Sequence, residues 1–191
     1  MLSSALNFLL STVFNLMCFM FMLRFLMQYF RCSFANPVGQ IVIALTDFAV
    51  KPTRKLIPAW RKLDITTLLL ALASQLLLQW LLLLLRGFPF SLAGGTVWTV
   101  ILGSGLLGVV RTVLDIFFYA ILLQAILSWV NPYHPVNNAL NPLTQPIIKP
   151  IRRIVPTANG IDLSPLVALI LLQMLNVSVV SVLTYQLSIM L

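Results

Sequence analysis

Long apolar runs are the feature that most restricts how this chain can fold. Residues 5–30, 66–85, 97–130 and 164–183 contain almost no charged side chains. At about 1.5 Å per residue, a helix of about 20 residues crosses the roughly 30 Å hydrocarbon core of a bilayer. The chain as a whole is 60% hydrophobic and only 8% charged, which is outside the composition of soluble domains. The sequence therefore predicts an all-α integral membrane protein with four transmembrane helices.

Two of these runs need interpretation. The first lacks a basic leading segment and a small-residue cleavage site, so we interpret it as a retained transmembrane helix at about 5–30. The run 97–130 would form a helix of about 51 Å, which is long for one crossing. We expect the Gly103-Ser104-Gly105 cluster to divide it, leaving a third span at about 104–130 and an interfacial piece at 96–102.

A repeat divides the chain into two halves. Moving 98 positions forward carries residues 51–58 (KPTRKLIP) onto residues 149–156 (KPIRRIVP) without a gap, and also carries Asp64 onto Asp162. We therefore expect two repeats, residues 1–95 and 96–191, each with two spans. Because two spans return the chain to its starting side, the repeats should be parallel and related by a pseudo-twofold axis along the membrane normal.

Between the two spans of each repeat lies a proline-bounded amphipathic segment, at 36–60 and at 135–158. In the first segment, Asn36 before Pro37 is typical of a helix start. A proline disfavours helical geometry at the residue before it, so we expect this helix to end at Lys51-Pro52. A second short helix should then run towards Pro58. The segment is thus predicted to be a hairpin that lies on the membrane or dips into it.

The second hairpin is richer in proline. A proline inside a helix removes a backbone hydrogen bond. We therefore expect two or three short helices between 135 and 158, with Pro142 and Pro150 near helix starts. The fourth span should then open at Asp162-Leu163-Ser164-Pro165, with Ser164 as its N-cap.

The basic residues predict the topology. Nine Lys and Arg residues lie in the segments after the first and third spans, whereas the opposite side contains Arg86 and Arg111. The positive-inside rule therefore predicts cytoplasmic hairpins and termini outside. The formal charge of +8 comes from sparse residues flanking apolar helices, which favours anionic phospholipid over nucleic acid as their partner.

The repeated basic motif is the first candidate site. Arginine binds phosphate through two parallel hydrogen bonds, so the motif could bind lipid headgroups or an acidic membrane protein. The simpler interpretation is that the charges only fix orientation, which leaves the repeated spacing of basic residues and prolines unexplained. The motif residues are Lys51, Pro52, Arg54, Lys55, Pro58, Lys149, Pro150, Arg152, Arg153 and Pro156.

Polar residues near or inside the spans form a second group. Arg24 lies near the end of the first span, where it can extend to the headgroups or lipid, or pair with Asp64 or Asp162. These two acids occupy equivalent helix starts, where a carboxylate favours the helix dipole, so capping is a simpler role than catalysis.

Other polar residues lie deeper. Gln75 and Gln173 are equivalent positions about ten residues into their spans, where they can form interhelical hydrogen bonds or line a polar pathway. We favour packing, because a conduction path normally contains more polar residues. Asp115 lies one helical turn from Arg111, so a local salt bridge is the default interpretation and a proton relay the alternative.

The sequence offers little for catalysis. It has one histidine, His134, and two cysteines, Cys18 and Cys32, which we interpret as unpaired apolar side chains. A catalytic triad, a paired acidic dyad, a Walker loop and a dinucleotide fingerprint are all missing. We therefore predict a non-enzymatic protein without metal or cofactor.

Residues 46–58 (TDFAVKPTRKLIP) with Asp64, and residues 141–156 (NPLTQPIIKPIRRIVP) with Asp162, resemble the YggT family of bacterial inner-membrane proteins and its chloroplast and cyanobacterial relatives. The shorter Leu127-Ser128-Trp129 also fits. The resemblance covers nearly the whole chain and implies a multi-pass inner-membrane protein. It implies no established reaction, only loose links to envelope stress, cell division and cytochrome assembly.

Three functions follow as hypotheses. The leading one is a scaffold in envelope homeostasis or stress response that binds anionic phospholipid, a membrane protein partner or a second copy of itself. The first alternative is a small oligomeric ion or osmolyte transporter or channel, suggested by the parallel duplication. The second is a membrane assembly factor for cofactor proteins.

Overall fold

The computed structural model describes residues 2–56, 64–89, 94–131, 134–155 and 162–189. Its helices are α1 (Leu2–Tyr29), α2 (Pro37–Leu56), α3 (Ile65–Leu85), α4 (Thr96–Val130), α5 (Asn137–Ile154), α6 (Ser164–Leu175) and α7 (Val182–Ile189). A π-helical segment, Asn176–Ser181, joins α6 to α7. All regular structure in the described ranges is helical, which confirms the predicted class.

Four helical stretches are long and apolar enough to cross a membrane, as predicted. They are Ser3–Tyr29, Ile65–Leu85, Thr96–Val130 and Ser164–Leu187. In the bundle, α1 and α3 pack against each other and against α4, and α4 packs against α6. The result is a multi-pass architecture in which α1, α3 and α4 surround the main core.

Helices α2 and α5 lie at one end of this bundle. Helix α2 packs against α1 and α3, and α5 packs against α4 and α6. Val42 and Val50 of α2 and Leu140 and Leu143 of α5 belong to one buried cluster with Met22 of α1. This end, called the α2/α5 end below, is where α1 and α4 finish and where α3 and α6 begin.

Helix α2 begins as predicted. The Asn36 Oδ1 atom accepts a hydrogen bond from the backbone N–H of Gly39 at 2.9 Å, and Pro37 is the first helical residue. A Cβ atom at Gly39 would lie 2.6 Å from the Phe34 Cα atom, so the entering chain requires glycine there.

The predicted break at Lys51-Pro52 is wrong, because α2 continues through Pro52 to Leu56. Proline at 52 removes one bond, to the carbonyl of Phe48, whose residue is exposed on the outer side of the helix. The Thr53 hydroxyl donates to the carbonyl oxygen of Ala49 at 2.6 Å and supports the same turn. Because only one hydrogen bond is lost, and on an exposed face, the segment forms a single helix where a hairpin was predicted. Pro58 lies outside the described residues.

The predicted division of the second segment is also wrong, because α5 is one helix containing Pro142, Pro146 and Pro150. These prolines are four residues apart and fall on one side of the helix. The N–H groups missing at 146 and 150 would have bonded the carbonyls of Pro142 and Pro146, so the unpaired carbonyls share that side. The proline side of α5 points away from the core, so the backbone hydrogen bonds on the buried side of the helix are kept. Pro156 lies outside the described residues.

The Gly103-Ser104-Gly105 cluster does not interrupt the third span. Helix α4 runs unbroken for 35 residues, from Thr96 to Val130. A Cβ atom on Gly105 would lie 2.5 Å from Leu76 Cδ2, and one on Gly108 would lie 2.5 Å from Gln75 Oε1. Glycine therefore permits the close packing of α4 on α3, and this contact outweighs its low helix propensity of about 1 kcal/mol per residue.

The start of the fourth span differs from the prediction. Ser164 is the first residue of α6 and not its N-cap, and its hydroxyl oxygen is buried without a partner among the described residues. The Asp162 Oδ1 atom instead accepts the Ser164 N–H at 2.9 Å. The acid takes the capping role that the sequence pattern suggested for the serine.

The first two spans end alike. At the end of α1, the N–H of Cys32 donates to the Met27 carbonyl at 2.8 Å, and Arg31 has φ +55°. At the end of α3, Phe88 N–H donates to the Leu83 carbonyl at 3.2 Å, and Gly87 has φ +69°. Both are Schellman endings, which favour glycine at the left-handed position. Arg31 occupies that position at a conformational cost.

Candidate functional site

The two motif arginines make equivalent ion pairs at the α2/α5 end. Arg54 of α2 pairs with Asp64 at the start of α3, and Arg152 of α5 pairs with Asp162 before α6. Both pairs join residues ten apart, and the two pairs are related by the 98-residue step. Each pair joins α2 or α5 to the helix that follows it, so the first role of these arginines is structural.

The two acids differ in burial and in what they contact. The Asp64 side chain is 3% exposed and that of Asp162 is 29% exposed. Gln28 of α1 joins the first pair when its amide is turned towards the carboxylate, donating to Asp64 Oδ2 at 2.9 Å, an orientation assigned from the hydrogen-bond network. Burial raises the pKa of the Asp162 carboxyl, but hydrogen bonds from Ser164 and Arg152 outweigh burial and hold it below its usual value.

One hypothesis paired Arg24 with Asp64 or Asp162, and this is wrong. Its guanidinium donates to Thr46 Oγ1 at 2.6 Å and to Asp47 Oδ1 at 2.8 Å, both on α2. The two predicted partners are already held by Arg54 and Arg152. The contact fixes α2 against the end of α1, and sequence reasoning overlooked Asp47 because it counted only the repeated acids.

Asp47 is bound from both sides. Lys51 contacts its other oxygen at 2.8 Å, one helical turn away. Hydrogen bonds from Lys51 and then from Arg24 lower the pKa of the Asp47 carboxyl below its ordinary value of 3.8. The carboxylate is therefore charged at neutral pH and balances two basic groups.

The second repeat uses an uncharged version of this contact. The Thr144 hydroxyl of α5 lies within hydrogen-bonding distance of both the Gln124 side-chain oxygen of α4 and the Leu140 carbonyl oxygen, and the Gln124 amide nitrogen donates to Asn141 Oδ1 at 2.6 Å. Thr46 and Thr144 are equivalent by the 98-residue step, and both are fully buried. A threonine facing the preceding span is thus common to both repeats.

Three exposed basic groups lie together on α5. A groove of about 600 Å³ runs along α4 and α5, and three cations line it together with amides and one buried isoleucine. Its lining residues are Gln124, Asn141, Thr144, Gln145, Ile148, Lys149, Arg152 and Arg153. On α2, Lys51 and Lys55 are exposed as well.

Helix α2 also exposes apolar side chains. Ile41, Leu45 and Phe48 are exposed although they are large and hydrophobic. Their spacing of four and three residues places them in one stripe along the helix. Apolar side chains of α2 therefore lie on two sides of the helix: Val42 and Val50 are buried in the bundle, whereas this stripe is exposed.

The two equivalent glutamines lie in different surroundings. Gln75 is buried, and its amide nitrogen donates to Asn15 Oδ1 of α1 at 3.0 Å, as the packing interpretation predicts. Gln173 is exposed on the outer surface of α6 beside Met174 and does not cross the repeat interface. Asn15 was missed because a single amide in an apolar run gives little signal.

The remaining candidates are accounted for in the described ranges. Arg111 and Asp115 form the expected local pair, at 4.0 Å. Cys18 and Cys32 are both free and buried, as predicted, and burial raises the pKa of the Cys32 thiol to about 11. Among the described residues, His, Cys, Asp and Glu side chains form no group of three placed to hold a metal ion.

Comparison with known proteins gives consistent matches. The CCB3/YggT family model matches residues 3–85 and again residues 103–183. The chain is 35% identical over 182 residues to a protein named "Uncharacterized protein YggT" in Escherichia coli strain K12, covering 94% of this chain and 92% of that protein. It is 32% identical over 168 residues to an uncharacterized protein of Haemophilus influenzae, covering 87% of each.

A further relative matches a smaller part of the chain. The uncharacterized protein ycf19 of Porphyra purpurea is 37% identical over 75 residues, which is 38% of this chain and 79% of that protein. No solved structure matches the chain.

Proposed function

The chain belongs to the CCB3/YggT family, and from that premise we propose that it is a scaffold of the bacterial inner membrane that binds anionic phospholipid headgroups. The binding element is the groove of α5, at the cytoplasmic surface of the membrane. The observation that carries the proposal is the convergence of Lys149, Arg152 and Arg153 on one groove of about 600 Å³ beside polar amides.

The chemistry of the groove fits a phosphodiester headgroup. Lys149 and Arg153 are exposed, and neither forms an ion pair with an acidic side chain among the described residues. Arginine offers a planar fork of donors to phosphate, whereas lysine contributes a mobile point charge. Asn141 and Gln145 add neutral donors, and Ile148 provides an apolar floor for the glycerol end of a lipid.

Helix α2 supports binding at the same surface. Its exposed stripe of Ile41, Leu45 and Phe48 lies beside the exposed cations Lys51 and Lys55. Apolar groups flanked by basic ones are typical of helices that lie at the membrane interface, with the apolar side among acyl chains. The positive-inside rule supports a cytoplasmic location of this surface, because nine of the twelve Lys and Arg residues lie in the sequence segments that follow the first and third spans.

The test compares phospholipids of different charge. The protein is purified in a neutral detergent, and its thermal unfolding is followed while phosphatidylglycerol or phosphatidylcholine is added. A lipid that binds only the folded state raises the unfolding temperature, and at equal concentration a tighter-binding lipid raises it more. We expect phosphatidylglycerol to stabilise the protein more, and added salt to reduce the difference.

The variant Lys149→Gln/Arg153→Gln removes two groove charges without touching the Arg152–Asp162 pair. At about 1 kcal/mol per basic residue near an anionic surface, it should weaken phosphatidylglycerol binding about 30-fold. Lys149→Arg/Arg153→Lys keeps the charge and should bind nearly as well, and Arg86→Gln removes a charge at the far end of α3. Equal stabilisation by both lipids, or an unaffected double variant, would refute the proposal.

A further inference from the structure

A second polar site lies inside the bundle, separate from the groove on α5. It is a cavity of about 410 Å³ between α1, α3, α4 and the α6–α7 span. Its polar lining includes Ser11, Asn15, Gln75, Gln79, Arg111 and Asp115. None of these residues lines the groove on α5.

The cavity lies at the level of the middle of α3, one of the candidate spans. Gln75 is the eleventh of the 21 residues of α3, and it packs against Gly108 of α4. Arg111 follows Gly108 by three residues, or about 4.5 Å along the helix. We predicted from the sequence that Arg111 lies on the outer side. The contact between Gly108 and Gln75 instead places Arg111 and Asp115 close to the level of the middle of α3. Ionisable groups at that depth are costly, and they commonly mark solute or ion sites.

The two charges in the cavity form a loose ion pair that is not hydrogen-bonded. The shortest distance, from Arg111 Nε to Asp115 Oδ2, is 4.0 Å, and the side chains are 63% and 36% exposed. That distance is too long for a hydrogen bond. Both groups therefore keep hydrogen-bonding capacity for a ligand.

The fold positions Asp115 by an irregular element. The Asn176 amide nitrogen donates to Asp115 Oδ1 at 2.9 Å, and Asn176 begins the π-helical segment between α6 and α7. Single π-helical turns inside helices frequently occur at functional sites. Asn176 leaves the second oxygen of Asp115 facing Arg111 and the cavity.

We propose that this cavity binds a small zwitterionic solute, with its carboxylate on Arg111 and its cationic group on Asp115. The site itself has no net formal charge, because one cation faces one anion. In a low dielectric, a solute carrying both charges satisfies both groups and adds no net charge, whereas a lone anion or cation satisfies only one. The volume is several times the roughly 30 Å³ that one water molecule occupies, so an amino-acid-sized solute fits.

Aromatic rings complete one wall. Phe19 of α1 and Tyr119 of α4 both line the cavity and meet edge to face, with ring centroids 6.5 Å apart. An aromatic face attracts an ammonium group that lies within about 6 Å of it. Tyr119 is one turn from Asp115, so the wall and the carboxylate favour the same end of the solute.

The experiment measures binding to the full-length protein in detergent by calorimetry. Glycine and trimethylglycine are the zwitterionic probes, while acetate and tetramethylammonium each present half of the charge pattern. We expect saturable binding of at least one zwitterion and at least about tenfold weaker binding of either half. Equal binding of the halves, or no zwitterion binding, would overturn the proposal.

Variants assign the roles. Arg111→Gln and Asp115→Asn should each weaken zwitterion binding at least about tenfold, whereas Arg86→Gln, the same change as the first but outside the cavity, should not. Thr184→Leu keeps both charges and fills the cavity from α7, so it should also reduce binding even if a charge variant fails to fold. Unchanged binding in Thr184→Leu and Arg111→Gln would place the ligand elsewhere.

The two proposals fail separately. Lys149→Gln/Arg153→Gln should leave zwitterion binding unchanged, because its groove does not share lining residues with the cavity. Loss of zwitterion binding in that variant would contradict an independent site.

Discussion

The Arg24–Asp47 pair has no charged counterpart in the second repeat, and this difference predicts a rescue. The equivalent positions, 98 residues further on, are Leu122 and Gln145. The double variant Arg24→Leu/Asp47→Gln would therefore give the first repeat the residues that the second repeat already contains. We expect each single variant to destabilise the protein and the double variant to recover most of that stability.

The magnitudes follow from burial. The Arg24 side chain is 7% exposed and that of Asp47 is 21% exposed. Leaving one buried partner uncompensated typically costs 3–5 kcal/mol, and partial exposure reduces this to about 2–3 kcal/mol for Asp47→Gln. Arg24→Leu should cost about 1–2 kcal/mol, because Asp47 keeps Lys51 at 2.8 Å.

The double variant should lie within about 1 kcal/mol of the original protein, because replacing both members of a buried pair by uncharged groups is often close to neutral. Two details support this estimate. Arg24 Nε is buried without a partner among the described residues, so the original pair is incompletely satisfied. Thr46 keeps its hydrogen bond to the Val42 carbonyl at 2.6 Å when the arginine is removed.

The assay is thermal unfolding in one detergent, with denaturant unfolding to obtain free energies. A change of about 2.5 kcal/mol corresponds to about 5–10 °C in a protein of this length. Lys51→Gln is the control for loss of an exposed charge and should change stability by less than about 0.5 kcal/mol. If the double variant is as unstable as the sum of the singles, the pair does not act as a unit and the reasoning is refuted.

The Arg24–Asp47 pair also predicts how the free energy of unfolding depends on pH in the acid range. The folded-state pKa of Asp47 lies below 3.8, its ordinary value, so the stabilisation is complete above that pH and is lost as pH falls through the lowered pKa. The double variant should lack this part of the acid dependence. An identical loss of stability below 3.8 in both proteins would show that other carboxyls cause it.

Three further predictions concern helix contacts. Gly108→Ala should destabilise the protein by about 1–2 kcal/mol in thermal unfolding, because the new Cβ atom would lie 2.5 Å from Gln75 Oε1; a stabilised variant would show that the glycine only weakens α4. Asp64→Asn should cost about 2–3 kcal/mol and Asp162→Asn about 1 kcal/mol, since their side chains are 3% and 29% exposed; equal losses in denaturant unfolding would contradict this order. Arg31→Gly should raise the unfolding free energy by about 1 kcal/mol, because residue 31 has φ +55°; a decrease would mean that the side chain is needed.

Much of the fold could be predicted from the sequence. The four spans were located to within a few residues, apart from the third and the end of the fourth, because length and hydropathy alone decide whether a helix can cross a bilayer. The Asn36-Pro37 helix start was likewise local information, since the cap and the helix are neighbours in sequence.

The helix breaks could not be predicted in the same way. Proline and glycine signals at Pro52, Pro150 and Gly105 all suggested interruptions, and none occurs. Whether such a residue breaks a helix depends on which side it faces. A proline on an exposed side leaves only accessible carbonyls unpaired, and a glycine against a neighbouring helix is compensated by closer packing.

The sequence by itself determined that this is a membrane protein of two similar halves, because hydrophobic length and the 98-residue repeat are properties of the chain. Only the tertiary structure decided which charges pair between different helices. It pairs Arg24 with Asp47, and it brings Arg111 and Asp115 beside Asn15 in one cavity. Electrostatic pairing depends on distances of a few ångströms between helices, and sequence separation carries no information about such distances.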